Sequence, residues 1–188
     1  MIYTVFDVET TGLRTGTDCV LQFAYLLFDS LDNTIVSADS FYLWDESYTW
    51  SDDAYKVHKI SKDFLRSLPK SEMKVKYGKM FKALSAANLM TYNGNSFDIP
   101  FCDNFLKRYA VQPYLPASQT DVMLLARQAF GKRFKLVNLV DYLEIPEEAI
   151  KAMQEAHFGV STGAHDATYD VISTLLCYIR LRGAGLAV

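Results

Sequence analysis

The stretch IYTVFDVETTGL, residues 2–13, indicates an apolar strand that ends in two acidic side chains. The strand pattern begins at Ile2, and the run TTGLRTGTD behind it is a turn-rich loop. Asp7 and Glu9 are two positions apart, which is the period of a strand, so both carboxylates lie on one face. Such close like charges repel each other, and a cation between them offsets this repulsion. Oxygen ligands favour Mg²⁺ or Mn²⁺ over zinc. The stretch therefore predicts a cation site, with two solvated acids at an exposed strand end as the alternative.

Outside this stretch the sequence predicts an α/β fold in which a mixed sheet carries helices on both faces. Two further strands, 19–28 and 35–44, follow the first and are expected to be antiparallel to it. The hydrophobic period then changes to that of helices. Helices are predicted at 50–68 (two short pieces, with Ser61 as an N-cap), 71–86, 97–109, 121–130, 136–143, 146–156 and 164–182, with a buried strand at 87–92 and a loop at 111–119.

The composition indicates one globular domain in a reducing compartment. The chain has 188 residues, 50% of them hydrophobic and 22% charged, which excludes a disordered, coiled-coil or collagen-like chain. The cysteines match no disulfide or zinc-ligand spacing and are expected to be buried apolar residues: Cys19, Cys102 and Cys177. Without a membrane span or room for a cleaved signal, a cytoplasmic protein is expected. The net charge of −3 does not exclude a nucleic-acid ligand, because an acidic metal site also lowers it.

A third acidic side chain occurs in TYNGNSFDIPF, residues 91–101. Asp98 follows a short buried strand and a turn, and it stands at the entry of a helix. Taken alone, it is a helix-start charge that interacts favourably with the helix dipole. Its neighbours favour a functional role, because Asn93 and Asn95 are turn formers that also carry amide donors.

A histidine and an aspartate lie close together in GAHDATYDV, residues 163–171. Gly163 breaks the chain, so His165 falls in the loop or first turn before the last long helix. Asp170 lies more than one turn inside that helix among apolar neighbours, where a buried carboxylate needs a partner such as a metal ion. A histidine beside metal-bound acids suits the role of general base for water, although a lone histidine is more often a surface residue. Asp166 is interpreted as a helix-start residue without a catalytic role.

The three motifs FDVETTGL, NGNSFDIPF and AHDATYD occur in the order found in DnaQ-like 3′→5′ exonucleases, the family of the proofreading epsilon subunit of bacterial DNA polymerase III. The chain resembles the branch called DEDDh, in which a histidine stands five positions before the last aspartate. The tyrosine branch would need a tyrosine where Asp166 stands. Two further stretches are similar to the family, residues 54–61 and 120–143, so the resemblance extends from Ile2 to about Arg182.

The resemblance implies a ribonuclease H-like fold, with a central mixed five-stranded sheet flanked by helices, as a single exonuclease domain over residues 1–182, followed by a short flexible tail at 183–188. It implies two divalent ions, Mg²⁺ or Mn²⁺, as cofactors and a nucleic-acid 3′ end, in particular single-stranded DNA, as the partner. Two ions can activate water and stabilise the leaving oxygen in a displacement that releases nucleoside 5′-monophosphates. A DNA polymerase is a further partner that the family implies, although the short tail favours a stand-alone or accessory exonuclease. The catalytic residues implied by position are the metal ligands Asp7, Glu9, Asp98 and Asp170 and the general base His165.

The same resemblance assigns residues that would bind the substrate. Thr10 is placed to meet the terminal nucleotide. Leu13 resembles the apolar wedge that the family packs against the last base, with an ordinary loop leucine as the alternative. Asn93 and Asn95 flank Gly94, where the epsilon pattern has an asparagine, so either amide is a candidate. Stacking and backbone contacts of this kind read no base sequence.

Two other features have a structural interpretation beside a functional one. His58 lies in a family-like stretch and is expected to be structural or to face the substrate. Lys132, Arg133 and Lys135 form a small basic loop that either touches phosphates or is a solvated surface.

Three alternatives differ from the DNA exonuclease. A phosphatase of the haloacid dehalogenase type also opens with a strand and spaced acids, but it needs an aspartate at Glu9 and leaves Asp98 unexplained. A non-catalytic module that binds nucleic acid or a polymerase would be expected to lack one of the acids, and all of them are present. A 3′→5′ exoribonuclease acting on short RNA fits the same residues, because the contacts that read a 2′-hydroxyl cannot be placed from sequence.

Overall fold

Five strands form one mixed sheet: β1 (Ile2–Thr10), β2 (Val20–Asp29), β3 (Thr34–Tyr42), β4 (Asn88–Thr91) and β5 (Ser118–Asp121). The structure is a computed structural model that describes residues 1–85, 88–109 and 114–186. The strands lie in the order β3-β2-β1-β4-β5. β1 pairs antiparallel with β2 and parallel with β4, whereas β3 extends the sheet antiparallel to β2 and β5 extends it parallel to β4. β1 is therefore the central strand.

Helices cover both faces of this sheet. In the described parts of the chain they are α1 (Asp52–His58), α2 (Lys62–Arg66), α3 (Met73–Leu84), α4 (Asp98–Arg108), α5 (Val122–Phe130), α6 (Leu136–Tyr142), α7 (Glu147–Phe158) and α8 (Ala167–Gly183). A 3-10 turn, Lys70–Glu72, precedes α3. Ser61 caps α2 as predicted, because its hydroxyl accepts a hydrogen bond from the Phe64 amide.

The two faces of the sheet carry separate cores. Alternate residues of a strand point to opposite faces. Phe6 and Val8 accordingly join the largely aromatic core with α3 and α4, whereas Val5 joins the core with α5 to α8. Asp7 and Glu9 have the parity of Val5, so their side chains leave the sheet on the side that α8 covers.

The predicted architecture is confirmed: the sheet is mixed and five-stranded, it opens with three antiparallel strands, and helices flank it. One strand was missed. Residues 118–121 form β5, although a loop and a helix start were predicted there, because the sequence SQTD is polar and becomes a strand only through its pairing with β4. Two helix starts were also predicted too early. α8 begins at Ala167 because Asp166 is its N-cap, and α3 begins at Met73 because the preceding turn is 3-10.

Some predictions fall outside the described residues. They are the predicted helix end at Ala86, the predicted strand start at Ala87, residues 111–113 of the predicted loop, and residues 187–188 of the predicted tail.

In the part of the chain that the structure describes, no helix is long and apolar enough to cross a membrane. All three cysteines are buried and free, which confirms the prediction that they are apolar core residues.

Candidate active site

Asp7, Glu9 and Asp170 form a group of three carboxylates on the α8 side of the sheet. The first two come from the end of β1. Asp170 comes from the first turn of α8, and not from beyond it as predicted, because the helix begins three residues later than expected. One carboxylate oxygen from each residue lies within 4.8 Å of the others. Oxygen donors alone suit a hard divalent cation such as Mg²⁺ or Mn²⁺, whereas zinc prefers imidazole or thiolate ligands. The donor set therefore fits the metal predicted from the sequence.

Asp98 approaches these three carboxylates from a third element. It is the first residue of α4 and is only 4% exposed. Its Oδ1 accepts a hydrogen bond from the backbone N–H of Val8, at 3.3 Å. Because Val8 stands between Asp7 and Glu9, this hydrogen bond fixes Asp98 to the part of β1 that carries both acids. Asp98 lies beside the tight group of three rather than within it.

Burial and mutual repulsion raise the pKa values of these acids. Burial is the largest cause for Asp7, and the charges of Asp98 and Asp170 add to it, so its pKa lies well above the ordinary value. Burial also raises the pKa of Glu9, followed by the charge of Asp170. The pKa values of Asp98 and Asp170 are likewise raised, chiefly by burial. A divalent cation among these groups offsets the repulsion, which is a second reason why the site suits a metal.

His165 lies in the loop between α7 and α8, two residues before α8 begins. Its backbone is left-handed, with φ of 67°, a conformation that is unfavourable for a residue with a Cβ atom. The side chain is exposed and lines the same cavity as Asp7 and Asp170. An imidazole in this place can accept a proton from a water molecule in the cavity. Asp166 has a structural role as predicted, because it caps α8 through the Thr168 amide.

A cavity of about 640 Å³ opens beside the acids. Its wall also includes Arg133, Phe134 and Lys135 from the loop between α5 and α6. The Arg133 guanidinium donates a hydrogen bond to Oδ1 of Asn93 at 2.8 Å. One cavity thus combines carboxylates that suit a cation with cationic side chains that suit a phosphate.

Of the predicted substrate residues, Thr10 ends β1, and Leu13 lies in the loop between β1 and β2. A bulge interrupts the pairing of β1 with β2 between Glu9 and Thr10. The Thr10 hydroxyl donates to the carbonyl of Gly12 at 2.6 Å and is therefore engaged within the loop. Leu13 is 82% exposed, which leaves its side chain accessible to a ligand.

Asp18 and Arg108 brace this loop, and the sequence interpretation assigned neither of them a role. Asp18 is buried and accepts a hydrogen bond from the Arg14 amide at 2.8 Å. Gly12 allows its approach, since a Cβ atom there would lie 2.4 Å from Asp18 Oδ2. From α4, the Arg108 guanidinium donates to the carbonyls of Asp18 and Thr17 at 2.7 and 3.1 Å. The loop that carries Leu13 is thus tied to α4.

Asp121 is a further structural carboxylate that the sequence interpretation missed. It ends β5, is 5% exposed, and caps α5 through the Met123 amide at 3.0 Å. It also accepts the backbone N–H of Asn93 at 2.9 Å and of Asn95 at 3.4 Å. The predicted amide residues are therefore held through their backbone. The Asn93 side chain contacts Arg133 in the cavity, and Asn95 is exposed.

Gln22 is a further residue that the sequence interpretation missed, and the available signal is a polar side chain within the apolar run of residues 19–28. It is 1% exposed and lies opposite Glu9 in the pairing of β1 with β2. Its Oε1 accepts the N–H of Ala167 at 3.3 Å, and its Nε2 donates to the Tyr42 hydroxyl at 3.4 Å. Gln22 thereby fixes the start of α8 to the sheet next to an acid of the site.

The family model for exonucleases, called RNase T, matches residues 4–178, and the chain belongs to this family. The match confirms the DnaQ-like exonuclease family predicted from the three motifs, and the likeness to epsilon subunits in particular is coarse. A search of curated protein sequences finds no significant match.

Solved structures of exonuclease I have the same fold. One of them has a TM-score of 0.77 and 20% identity, covering 97% of this chain and 41% of that one. E. coli exonuclease I in complex with a dT13 oligonucleotide has a TM-score of 0.73 and 19% identity, covering 98% and 42% of the two chains. The zinc-bound form of an E. coli exonuclease I complex with single-stranded DNA has a TM-score of 0.72 and 22% identity, covering 97% and 40%. The fold is the ribonuclease H-like exonuclease fold, and the chain spans about two fifths of the length of these proteins.

Proposed function

We propose that the protein is a metal-dependent 3′→5′ exonuclease of the DEDDh type that acts on single-stranded DNA. The observation that carries the proposal is the convergence of Asp7, Glu9 and Asp170 within 4.8 Å, at a cavity that also receives His165. Membership of the exonuclease family supports the class of reaction. The likeness to exonuclease I, solved with single-stranded DNA, supports the choice of polymer.

Two divalent ions, Mg²⁺ or Mn²⁺, are the proposed cofactors. Asp7, Glu9 and Asp170 would hold them together with Asp98, which the Val8 amide keeps beside β1. When bound, such ions lower the pKa of the attacking water and stabilise the charge on the leaving oxygen. The carboxylates would supply the negative charge that holds such ions.

His165 is the proposed general base. Its imidazole takes a proton from the water whose oxygen attacks the terminal phosphorus. The bond from phosphorus to the 3′ oxygen of the preceding nucleotide breaks, and that oxygen takes a proton to become the new 3′-hydroxyl. The phosphate leaves on the terminal nucleoside as a 5′-monophosphate. Because His165 is exposed, its imidazole can pass the proton to solvent.

Of the proposed substrate residues, Asn93 lines the cavity, Thr10 ends β1, and Leu13 lies in the loop that follows it. Leu13 would pack against the terminal base, since its side chain is exposed. Thr10 would meet the nucleotide through its backbone, because its hydroxyl is engaged within the loop. Arg133, held by the side chain of Asn93, would meet a phosphate of the strand, and Asn95 would contact the substrate through its exposed amide.

Degradation of a 5′-labelled single-stranded oligonucleotide, as DNA and as RNA, tests the proposal. With Mg²⁺ or Mn²⁺ we expect a ladder that shortens from the 3′ end, and no ladder with a chelator or with Asp7→Ala. Asp53→Ala is the matched control, since Asp53 is an exposed acid on α1 whose ion pair with Lys56 lies at the surface. If RNA is degraded faster than DNA, the proposed substrate becomes RNA instead of DNA. If neither polymer is degraded with any metal, the enzymatic proposal is wrong, and a gel shift then tests for a binding module.

Three further points belong to this proposal. Residues 1–182 form one exonuclease domain, consistent with the family match to residues 4–178. The cytoplasm is the proposed location, because three buried free cysteines suit a reducing compartment. Repeating the assay in the presence of a DNA polymerase tests the protein partner that the family resemblance implies.

A further inference from the structure

Gln154 on α7 is a buried amide that the proposed chemistry does not use. Its side chain is fully buried, at 0% exposure. Its Nε2 donates hydrogen bonds to the hydroxyls of Thr162 and Thr168, the latter at 2.7 Å. Its Oε1 accepts the backbone N–H of Thr162 at 2.9 Å. Both hydrogens and the oxygen of the amide therefore have partners, as a buried amide requires.

The partners of Gln154 lie on either side of His165. Thr162 precedes the histidine by three residues, and Thr168 follows it by three. The Thr168 hydroxyl in turn donates to Oδ1 of Asp166, the N-cap of α8. A single side chain on α7 thus joins the two ends of the short segment that carries the proposed general base.

The backbone of His165 needs such a constraint. Its φ of 67° is unfavourable for a residue with a Cβ atom, and such conformations persist where the surrounding structure fixes them. Hydrogen bonds of the residues on either side of His165 hold this backbone in place. Ala167 is tied to β2 through Gln22, and Thr162 is tied to α7 through Gln154.

We propose that Gln154 is a positioning residue for His165. By joining Thr162 to Thr168, it holds the loop in the left-handed conformation that keeps the imidazole beside the carboxylates. The inference rests on the proposed function, in which His165 accepts the proton of the attacking water. A displacement of about 1 Å at a reacting group costs about 100-fold in rate, so a modest loosening of the loop is sufficient to reveal the role.

Gln154→Met tests the inference, because methionine has a similar length and volume but cannot donate or accept these hydrogen bonds. We expect kcat to fall about 10- to 100-fold, with KM changed by less than about twofold. The circular dichroism spectrum and the binding of Mn²⁺ are expected to stay those of the wild type. Ile150→Val is the matched control for packing of the same helix, since Ile150 is fully buried one turn earlier, and it should leave kcat unchanged.

Combining Gln154→Met with His165→Ala separates positioning from a general loss of structure. If Gln154 acts through His165, the first substitution adds no loss once the imidazole is gone. An equal loss in both backgrounds, or a wild-type kcat for Gln154→Met, would overturn the inference. Should Gln154→Met fail to fold, Thr162→Val removes one hydroxyl partner of Gln154 at the partly exposed edge of the network. It is then combined with His165→Ala in the same way. A wild-type protein that is inactive with every metal would refute the proposed exonuclease function itself.

Discussion

At the residue scale, the site is governed by repulsion among closely spaced and at least partly buried carboxylates. The pKa of Asp7 is raised first by burial and then by the charges of Asp98 and Asp170. A carboxyl group whose pKa is higher in the folded than in the unfolded state destabilises the fold when it is ionised. The metal-free protein is therefore less stable above that pKa than the same fold with a neutral side chain at position 7.

Asp7→Asn is expected to raise the free energy of unfolding of the metal-free protein at pH 8. We expect a gain, because the neutral amide removes the charge that burial and the neighbouring carboxylates disfavour. The same variant should lose both the activity and the stabilisation by Mn²⁺, which reaches about 2.7 kcal/mol in the wild type when the ion is at 100 times its Kd. Denaturant titrations with chelator and with Mn²⁺ measure both effects, and the exposed Asp53→Asn is the control. A destabilised metal-free Asp7→Asn would contradict this account of the site.

His58 is a second buried ionisable residue, away from the carboxylates. It is 8% exposed, and its Nδ1 accepts the Ile60 amide at 2.9 Å. Among the described residues its Nε2 has no hydrogen-bond partner. Burial, followed by the charge of Lys59, lowers its pKa to about 4. The structure thus supports a structural role for this residue, with the imidazole neutral.

The neutral His58 predicts a pH dependence of stability. Between pH 6.5 and about 4 the unfolded chain binds a proton that the folded chain does not, so stability is complete above pH 6.5 and falls as the pH is lowered. The loss is at most about 3 kcal/mol, from a shift of about 2.5 units. Denaturant titrations across this range give the free energy of unfolding as a function of pH. We expect its slope against pH to be smaller for His58→Asn than for the wild type. The exposed His157→Asn should keep the wild-type slope, and equal slopes for all three proteins would refute the prediction.

The acids of the site were predictable from the sequence, whereas the residues that hold the loops were not. The spacing of two between Asp7 and Glu9, within an apolar strand, indicates a pair of carboxylates on one face. Asp121 looks like any helix-start aspartate until the fold brings the turn after β4 beside it. Gln154 stands in an ordinary amphipathic helix, and only the return of the chain at Thr162 buries it. Roles of this kind depend on contacts between distant elements, which a local pattern does not contain.

At the scale of elements, the turn between β4 and α4 depends on Asp121 from the neighbouring strand. This carboxylate accepts the backbone N–H groups of Asn93 and Asn95 and also caps α5. The turn leads directly into Asp98, so the position of one acid of the site depends on a strand that supplies no metal ligand.

Asp121→Ala is expected to loosen this turn. We expect a loss of about 2 kcal/mol in stability, because the substitution removes a helix cap and leaves a buried N–H without its partner. A fall of about tenfold in kcat should accompany it, since Asp98 is displaced. Thermal denaturation and steady-state kinetics measure the two effects. Ser61→Ala removes the cap of α2 and should cost about 1 kcal/mol with kcat unchanged, so a similar fall in kcat for both variants would contradict the prediction.

The elements themselves were predictable to different degrees. β1, β2 and β3 were evident because they are long, with turns between them, and because β1 and β2 are largely apolar while β3 alternates. β5 was not, because its four residues are polar and form an edge strand that takes its conformation from β4. The start of α8 was placed three residues early, because the segment before it has no strong breaker after Gly163.

At the scale of the whole molecule, the charge distribution is more informative than the net charge of −3. Asp7 and Asp170 line one cavity, and Arg133 and Lys135 line the same cavity. A phosphodiester strand can then meet cations of the protein while its scissile phosphate faces the metal site.

This arrangement predicts the salt dependence of the reaction. The double variant Arg133→Ala, Lys135→Ala should lower kcat/KM at low salt. It should also make the slope of log(kcat/KM) against log salt concentration shallower by about 1.4, since each phosphate contact on a single strand contributes about 0.7. Measurement of kcat/KM over a range of KCl concentrations tests this. Lys74→Ala, an exposed lysine on α3, should keep the wild-type slope. An unchanged slope in the double variant would exclude these side chains as phosphate contacts.

Metal-dependent 3′→5′ hydrolysis at this site is tested by product analysis in water enriched in ¹⁸O, with a single-stranded DNA oligonucleotide and Mn²⁺. Mass spectrometry is expected to find nucleoside 5′-monophosphates with one ¹⁸O on the phosphate, released in order from the 3′ end. These products should be absent with a chelator and with Asp170→Asn, which removes one of the three clustered carboxylates. Nucleoside 3′-phosphates, internal fragments, or the same products from Asp170→Asn would contradict a metal-dependent 3′→5′ exonuclease built on this site.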